Sequence, residues 1–277
     1  MITWAGVPPP KDPPIGPAGW LRVGLRGGAL LLLLAVCFPL LLLLRLVEAP
    51  IWGMDRPITP WITQFVCIWA CRILGLRRQV IGTPMHARGA FVSNHVSWLD
   101  IFVLNANKRL YFVAKSEVRG WGGIGWLARG TGTLFINRRR GEARAQQALF
   151  EDRLAAGHRL LFFPEGTSTD GQRVLDFKST LFAAFQADRL RDILHIQPVT
   201  LRYVAPAGEA PQFYGWWGDM GFGPNLLRML ATRAHGRVEV IYHPDIAVAD
   251  MPDRKALALA CETAVRAGLS EAARSAG

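Results

Sequence analysis

From Gly27 to Leu44 the chain is almost wholly apolar, and the runs Leu30 to Leu34 and Leu40 to Leu44 supply ten leucines. At roughly −0.5 kcal/mol each, they favour insertion into a bilayer by about −5 kcal/mol. The run is close to the minimum span of about 17 residues. This predicts a membrane helix, with Pro39 as a site for a kink; a buried core helix is the alternative. The stretch EAPIWGMDRPITP reads as a break, after which Trp61 to Leu76 resumes an apolar helical pattern and ends in Arg77 and Arg78. This second segment either spans or lies in one leaflet as half of a helical hairpin. Trp52, Trp61 and Trp69 suit the interface, where an aromatic ring keeps one edge wet. Arg45, Glu48, Asp55 and Arg56 between the segments leave positive-inside counting undecided.

From Val80 onward short apolar runs alternate with helical patterns. Strands are expected at Ala90–Ser93, Leu110–Val113, Thr133–Ile136, Arg159–Phe163, Ile196–Tyr203 and Val238–Tyr242. Helices are expected at Trp98–Asn105, Ile124–Arg129, Glu142–Ala156, Ser179–Arg189, Asn225–Ala231 and Asp253–Ala273. The fold class is α/β, a mixed sheet flanked by helices and preceded by a membrane helix or helical hairpin. Residues 1–20 hold VPPPKDPPIGP and read as a flexible arm. Residues 21–78 form the membrane anchor and residues 79–277 the globular domain. A cleaved signal peptide is not expected, because the charged start and the small-residue cleavage site are missing.

The formal charge is +11. Such a balance fits nucleic acid, anionic membrane or acidic substrates. The basic residues flank apolar segments, Arg22 and Arg26 before one and Arg77 and Arg78 after another, and no nucleic-acid-binding pattern is visible. The membrane is therefore the expected partner. Cys37, Cys67 and Cys71 lie in apolar stretches, and the Cys67/Cys71 spacing has no second ligand pair. Packing is the reading there, and no metal is expected.

The segment Asn94-His95-Val96-Ser97-Trp98-Leu99-Asp100 follows directly on an apolar strand. His95 then lies at a strand-to-helix turn, and Asp100 falls about a turn and a half into the next helix, from where its carboxylate can reach back to the imidazole. Such a pair makes a general base, the carboxylate holding the tautomer and steadying the imidazolium. Ser97 is expected to cap the helix. A second strand end carries Phe162-Phe163-Pro164-Glu165-Gly166-Thr167-Ser168. Glu165 can accept hydrogen bonds from hydroxyls, and Gly166 lets backbone approach a ligand. A third carries Gly132-Thr133-Leu134-Phe135-Ile136-Asn137-Arg138, followed by Arg139 and Arg140. A strand ending in arginine suits phosphate, with Lys115 a second candidate cation. Gly120, Gly122 and Gly125 satisfy GxGxxG without the strand context of a dinucleotide site. No GxSxG elbow is present, which argues against a serine hydrolase. The stretch Trp216 to Met220 reads equally as an interfacial aromatic patch or a packed loop.

In order and spacing, Asn94–Asp100 (NHxxxxD), Gly132–Arg138 (GxxFIxR), Phe163–Thr167 (FPEGT) and the apolar Ile196–Val199 with Pro198 resemble the glycerolipid acyltransferases over roughly residues 80 to 245. Asn137, where the family commonly has Asp, and Gln197, in a usually apolar stretch, depart from the pattern. The resemblance implies transfer of a fatty acyl group from a thioester to the free hydroxyl of a lysophospholipid, foremost 1-acyl-sn-glycerol-3-phosphate. His95 and Asp100 would be catalytic. Lys115 and Arg138 would bind the acceptor phosphate, and Glu165, Gly166 and Thr167 would line the acceptor site. It implies no cofactor beyond the co-substrate, which is acyl-carrier protein (ACP) or coenzyme A carrying the acyl chain. Membrane lipids would be the other partner, and the inner membrane, with the site on its cytoplasmic side, the location. A lyso-aminolipid such as lyso-ornithine lipid is the alternative acceptor. A catalytically dead, membrane-tethered binding protein and a lipid hydrolase are the readings of another class.

Overall fold

The computed structural model describes residues 4, 6–9, 13–136 and 143–274. Helix α1 runs from Pro17 to Trp52. Proline suits its first turn, where an N–H would have no partner. The helix continues through Pro39 and Pro50 and stops at Gly53, whose φ is +59° and whose N–H donates to the Ala49 carbonyl. The expected break at Glu48 is therefore displaced to Gly53. The reason is the buried Glu48 itself, whose carboxylate accepts from the Ile58 N–H (2.6 Å), the Thr59 N–H (2.9 Å) and the Thr59 hydroxyl (2.6 Å). It caps the start of α2 (Thr59–Leu74) and pins that helix to the last turns of α1.

Among the described residues α1 is the one helix long and apolar enough to cross a membrane. Leu25, Leu31, Leu32, Leu43 and Leu46 along it are exposed. Helix α2 behaves differently. At 16 residues it is shorter than a usual span, and its Cys71 and Leu74 enter the same core cluster as Phe91 and Leu99. The expected boundary between residues 78 and 79 also cuts through a strand, β1 (Arg77–Ile81). The second apolar helix thus belongs to the packing of the globular domain. The arm likewise touches it: the Trp4 N–H donates to Thr167 Oγ1 (3.4 Å), and Trp217 Nε1 donates to the Val7 carbonyl (2.9 Å). The described part of the arm is docked, where a flexible segment was expected.

After β1 come β2 (Gly89–Ser93), α3 (Leu99–Asn107), β3 (Tyr111–Lys115), a 3-10 turn at Ser116–Gly120, α4 (Gly122–Gly130) and β4 (Leu134–Ile136). Then follow α5 (Ala143–Ala155), β5 (Leu160–Phe162), α6 (Asp188–Arg191), β6 (His195–Val204), α7 (Phe222–Ala231), β7 (Arg237–Tyr242), β8 (Ile246–Ala247) and α8 (Arg254–Arg274). The helix expected at Ser179–Arg189 is instead a 3-10 segment, Ser179–Gln186, followed by the single turn of α6. The mixed eight-stranded sheet has the order β1-β7-β6-β2-β5-β3-β4, with β8 beside β6. Strands β1 and β8 were not expected. β1 pairs only with β7 and carries Arg77, Arg78 and Gln79, charged and polar residues typical of an edge.

Strands β2, β3, β4, β5 and β6 are mutually parallel, so their C-terminal ends open on one side. Both faces of the sheet are covered. Phe91, Leu161, Val199 and Leu201 look into one cluster, and Ala90, Val92, Phe162 and Ile196 into the other. That two-sided burial is why these strands read as continuous apolar runs. Pro198 sits in central β6 because β6 pairs with β8 at His195 and Ile196 and with β7 only from Val199. The missing N–H falls in the gap between the two ladders. Gly89 opens β2 with φ +141°, and a Cβ there would meet the His195 carbonyl oxygen at 1.8 Å.

Candidate active site

β2 ends at Ser93, and Asn94 extends its ladder with a side chain. Asn94 Nδ2 donates to the Leu201 carbonyl (2.9 Å), and the Leu201 N–H donates to Asn94 Oδ1 (2.8 Å). This turns the chain out of the sheet at His95. Helix α3 begins at Leu99, so Asp100 lies in its first turn and not a turn and a half in. A carboxylate is favoured there, where N–H groups point outward. Asp100 is fully buried and has four donors. Its Oδ2 accepts from His95 Nδ1 (2.7 Å), the Val96 N–H (2.8 Å) and the Ser97 N–H (3.1 Å). Its Oδ1 accepts from the Tyr203 hydroxyl (2.8 Å). Asp100, rather than Ser97, therefore supplies the helix start; Ser97 Oγ accepts only a long contact from the Leu99 N–H (3.4 Å).

With the Nδ1 proton held by Asp100, His95 Nε2 is the basic nitrogen. The ring stacks on Phe163 with centroids 4.0 Å apart and planes 11° from parallel. Its side chain keeps 19% of its surface exposed, enough for a substrate atom to reach it. Burial, then the charge of Asp100, push the Tyr203 hydroxyl well above the ordinary tyrosine range, so it stays protonated and donating.

Glu165 follows β5 and is buried. Its Oε1 accepts from the His95 N–H (2.7 Å) and its Oε2 from the Leu175 N–H (2.8 Å). The expected acceptor of substrate hydroxyls is in this structure a clamp on the backbone of the His95 turn. Burial pushes its carboxyl up to about 8, with a further push from Asp100, against the lowering by the two N–H donors. Gly166 turns the chain with φ +71°. Thr167 is half-buried beside it, and two residues on the Thr169 N–H donates to the His95 carbonyl (2.9 Å). The Trp216–Met220 stretch is a packed loop: the Trp216 N–H donates to the Val96 carbonyl (2.9 Å), Ser168 Oγ donates to the Trp216 carbonyl, and Trp217 is buried. Lys115 ends β3, half-buried and in register with Ile136 of β4. Asn137, Arg138, Arg139 and Arg140 lie outside the described residues.

Backbone N–H groups at a strand-to-helix turn are a common source of oxyanion donors. Those of His95, Val96 and Ser97 are already given to Glu165 and Asp100. Gln197, which departs from the family pattern, is a buried tie: it accepts from the Met85 N–H (2.7 Å) and donates to the Thr83 (2.9 Å) and His243 (2.8 Å) carbonyls. Sequence reading missed Tyr203. The only signal was a hydroxyl in an otherwise apolar strand, and nothing local ties it to a residue 103 positions away.

Comparison with known proteins follows the same lines. The family described as Acyltransferase matches residues 77–202. The chain is 55% identical to a lyso-ornithine lipid O-acyltransferase of Rhodobacter capsulatus, over 98% of each chain. It is 33% identical to a 1-acyl-sn-glycerol-3-phosphate acyltransferase of Neisseria meningitidis, over 68% of this chain and 72% of that one. Among solved structures, the 1-acyl-sn-glycerophosphate acyltransferase of Thermotoga maritima superposes with a TM-score of 0.56 at 20% identity. It covers 89% of this chain and 97% of that one, which shows the shared fold.

Tyr203→Phe should lower kcat about tenfold, roughly 1.4 kcal/mol in the barrier, with little change in either KM. The pH–kcat profile should shift, because the loss acts on the His95–Asp100 pair. An unshifted profile with wild-type kcat would remove Tyr203 from the site. Glu165 makes a separate prediction. Its folded pKa of about 8 lies above an unfolded value of about 4.3. Folding therefore takes up a proton between the two, and stability is lost as pH rises through about 8. The melting temperature should fall across that window, and Glu165→Gln should flatten the slope while lowering the melting temperature overall, since an amide NH2 cannot accept from the second backbone N–H.

Proposed function

This chain belongs to the Acyltransferase family, and from that premise we propose that it acylates the free hydroxyl of a lyso-aminolipid of the lyso-ornithine type. It is an O-acyltransferase of lysophospholipid-type acceptors and associates with membranes. The observation that carries the aminolipid acceptor is the 55% identity that runs end to end with the Rhodobacter capsulatus enzyme. The sequence motifs ranked lysophosphatidate first. The glycerol-phosphate enzymes match over a shorter span at 33%, and they keep that acceptor as the second reading.

His95 Nε2 removes the acceptor hydroxyl proton as the oxygen attacks the thioester carbonyl. Asp100 holds the ring and stabilises the imidazolium, and Tyr203 holds Asp100. When the tetrahedral intermediate collapses, the C–S bond breaks and the imidazolium returns its proton to the thiolate. General-base help of this kind is worth about 10² to 10⁴ in rate. Lys115 and Arg138 read the anionic group of the acceptor, a carboxylate in ornithine and a phosphate in lysophosphatidate; both suit a guanidinium fork. Gly166 and Thr167 contribute to the acceptor site. The donor is acyl-ACP or acyl-coenzyme A. Both are cytoplasmic, which supports an active site on the cytoplasmic face of the inner membrane. The complete hydrogen-bonded His95–Asp100 pair speaks against a dead scaffold.

The test is an acyl-transfer assay on the purified full chain with both donors and a panel of lyso-ornithine lipid, lysophosphatidate and water alone. Lyso-ornithine lipid should be the best acceptor. His95→Ala should abolish transfer in a folded protein, and Asp100→Asn should remove most of it. Arg138→Ala should raise the acceptor KM about tenfold without changing that of the donor. Preferred use of lysophosphatidate would install the second reading, and release of free fatty acid as the sole product would mean hydrolysis. Normal turnover by His95→Ala would reject the mechanism.

A further inference from the structure

At the end of the sheet away from His95, the loop between α1 and α2 meets the starts of β3 and β5 around a cavity of about 360 Å³. Arg56, Arg109 and Arg159 line it, against one carboxylate, Asp55. None of the three arginines has a carboxylate within ion-pair distance among the described residues. Each instead uses part of its guanidinium on a neutral acceptor: Arg56 on the Gly130 carbonyl (3.2 Å), Arg109 on Gln64 Oε1 (3.2 Å) and Arg159 on the His86 carbonyl (3.2 Å). Aromatic rings fix their planes. Arg109 lies 3.6 Å from the Trp61 ring centroid, and the Tyr111 ring centroid lies 6.0 Å from Arg56 and 4.7 Å from Arg153. The cations press on one another. Burial, then the charge of Arg56, lower Arg153 to about 10; burial, then Arg159, lower Arg109. Three cations facing a single carboxylate, none of them in an ion pair among the described residues, gain most from an anion that enters between them.

The surroundings say where that anion comes from. Ile51, Trp52, Ile58 and Trp61 beside the cavity are exposed, and they continue the apolar surface of α1. Tryptophans at such a position sit at the head-group level of a bilayer. We propose that this cavity is a binding site for the phosphodiester head group of an anionic membrane lipid, separate from the acceptor site and holding the α1–α2 turn at the bilayer surface. Gly132 belongs to this site as much as to its sequence motif. It has φ +83°, and a Cβ there would meet the Arg56 guanidinium at 2.7 Å, so glycine is what lets the guanidinium lie flat against the turn. The inference does not depend on which lysolipid is acylated.

Hydrogen–deuterium exchange on the full-length chain in mixed micelles tests it. Phosphatidylglycerol, compared with phosphatidylcholine, should slow exchange in peptides covering residues 52–61 and 156–161 at least severalfold. Arg109→Gln with Arg159→Gln should lose that protection, and the paired Lys substitutions, which keep the charge, should retain a large part of it. Arg254→Gln with Lys255→Gln, a remote and exposed pair of equal charge, should behave as wild type. Loss of protection in the remote pair to the same degree would mean general electrostatics and overturn the site. Protection by millimolar inorganic phosphate equal to that by the lipid would overturn the lipid source. Protection unaltered by the Gln pair, or confined to the His95 turn, would overturn the proposal outright.

Discussion

A single buried carboxylate organises the candidate active site. Asp100 has no solvent contact and accepts from an imidazole, two backbone N–H groups and a phenol. Removing a carboxylate from water costs several kcal/mol and is tolerated only when its lone pairs are filled. Here each donor that offsets that cost also fixes a geometry. The two N–H groups bend the chain into the turn, the imidazole is aimed, and Tyr203 joins α3 to β6. Charge burial, helix initiation and base orientation are one interaction.

Glu165 repeats the device on the other side of the histidine. Its two oxygens join the His95 N–H to the Leu175 N–H, so the loop after β5 and the turn after β2 are one rigid piece. The Thr169 N–H on the His95 carbonyl and the Trp216 N–H on the Val96 carbonyl complete it. The His95 turn therefore has its backbone held by two loops, the one after β5 and the one before α7, and its ring held by Asp100 and Phe163. Pre-positioning of this kind lowers the barrier to reaction. The cost is that the N–H groups of His95, Val96 and Ser97 are spent on structure and not on a substrate oxyanion.

The membrane element is fused to this scaffold. Glu48 bonds α1 to the start of α2, and α2 puts Cys71 and Leu74 into the core on which β2 and α3 also pack. Contact with a bilayer through α1 is thus transmitted through packed side chains to the helix that carries Asp100. On the proposed function, a lysolipid whose reacting hydroxyl lies near the head-group plane would meet a histidine whose position is set by the same packing.

The motif residues were legible in the sequence because their spacing is local. His95 and Asp100 are five residues apart, and a strand-to-helix turn brings such a pair together whatever else the fold does. The apolar strands were legible for a related reason: burial on both faces leaves an unbroken run. The leucine content of α1 likewise carries its own free energy of transfer. What the tertiary structure alone decided depends on residues far apart. Tyr203 reaches Asp100 only because β6 lies beside β2, and Glu165 faces inward only because the His95 turn offers it an N–H. β1 escaped notice because an edge strand paired on one side needs no apolar face, and α1 passed through an expected break because Glu48 found its partners on the next helix. A sequence states which groups want partners; only the packed chain determines which partner each one gets, because that choice is made by burial and by loops closing over long separations.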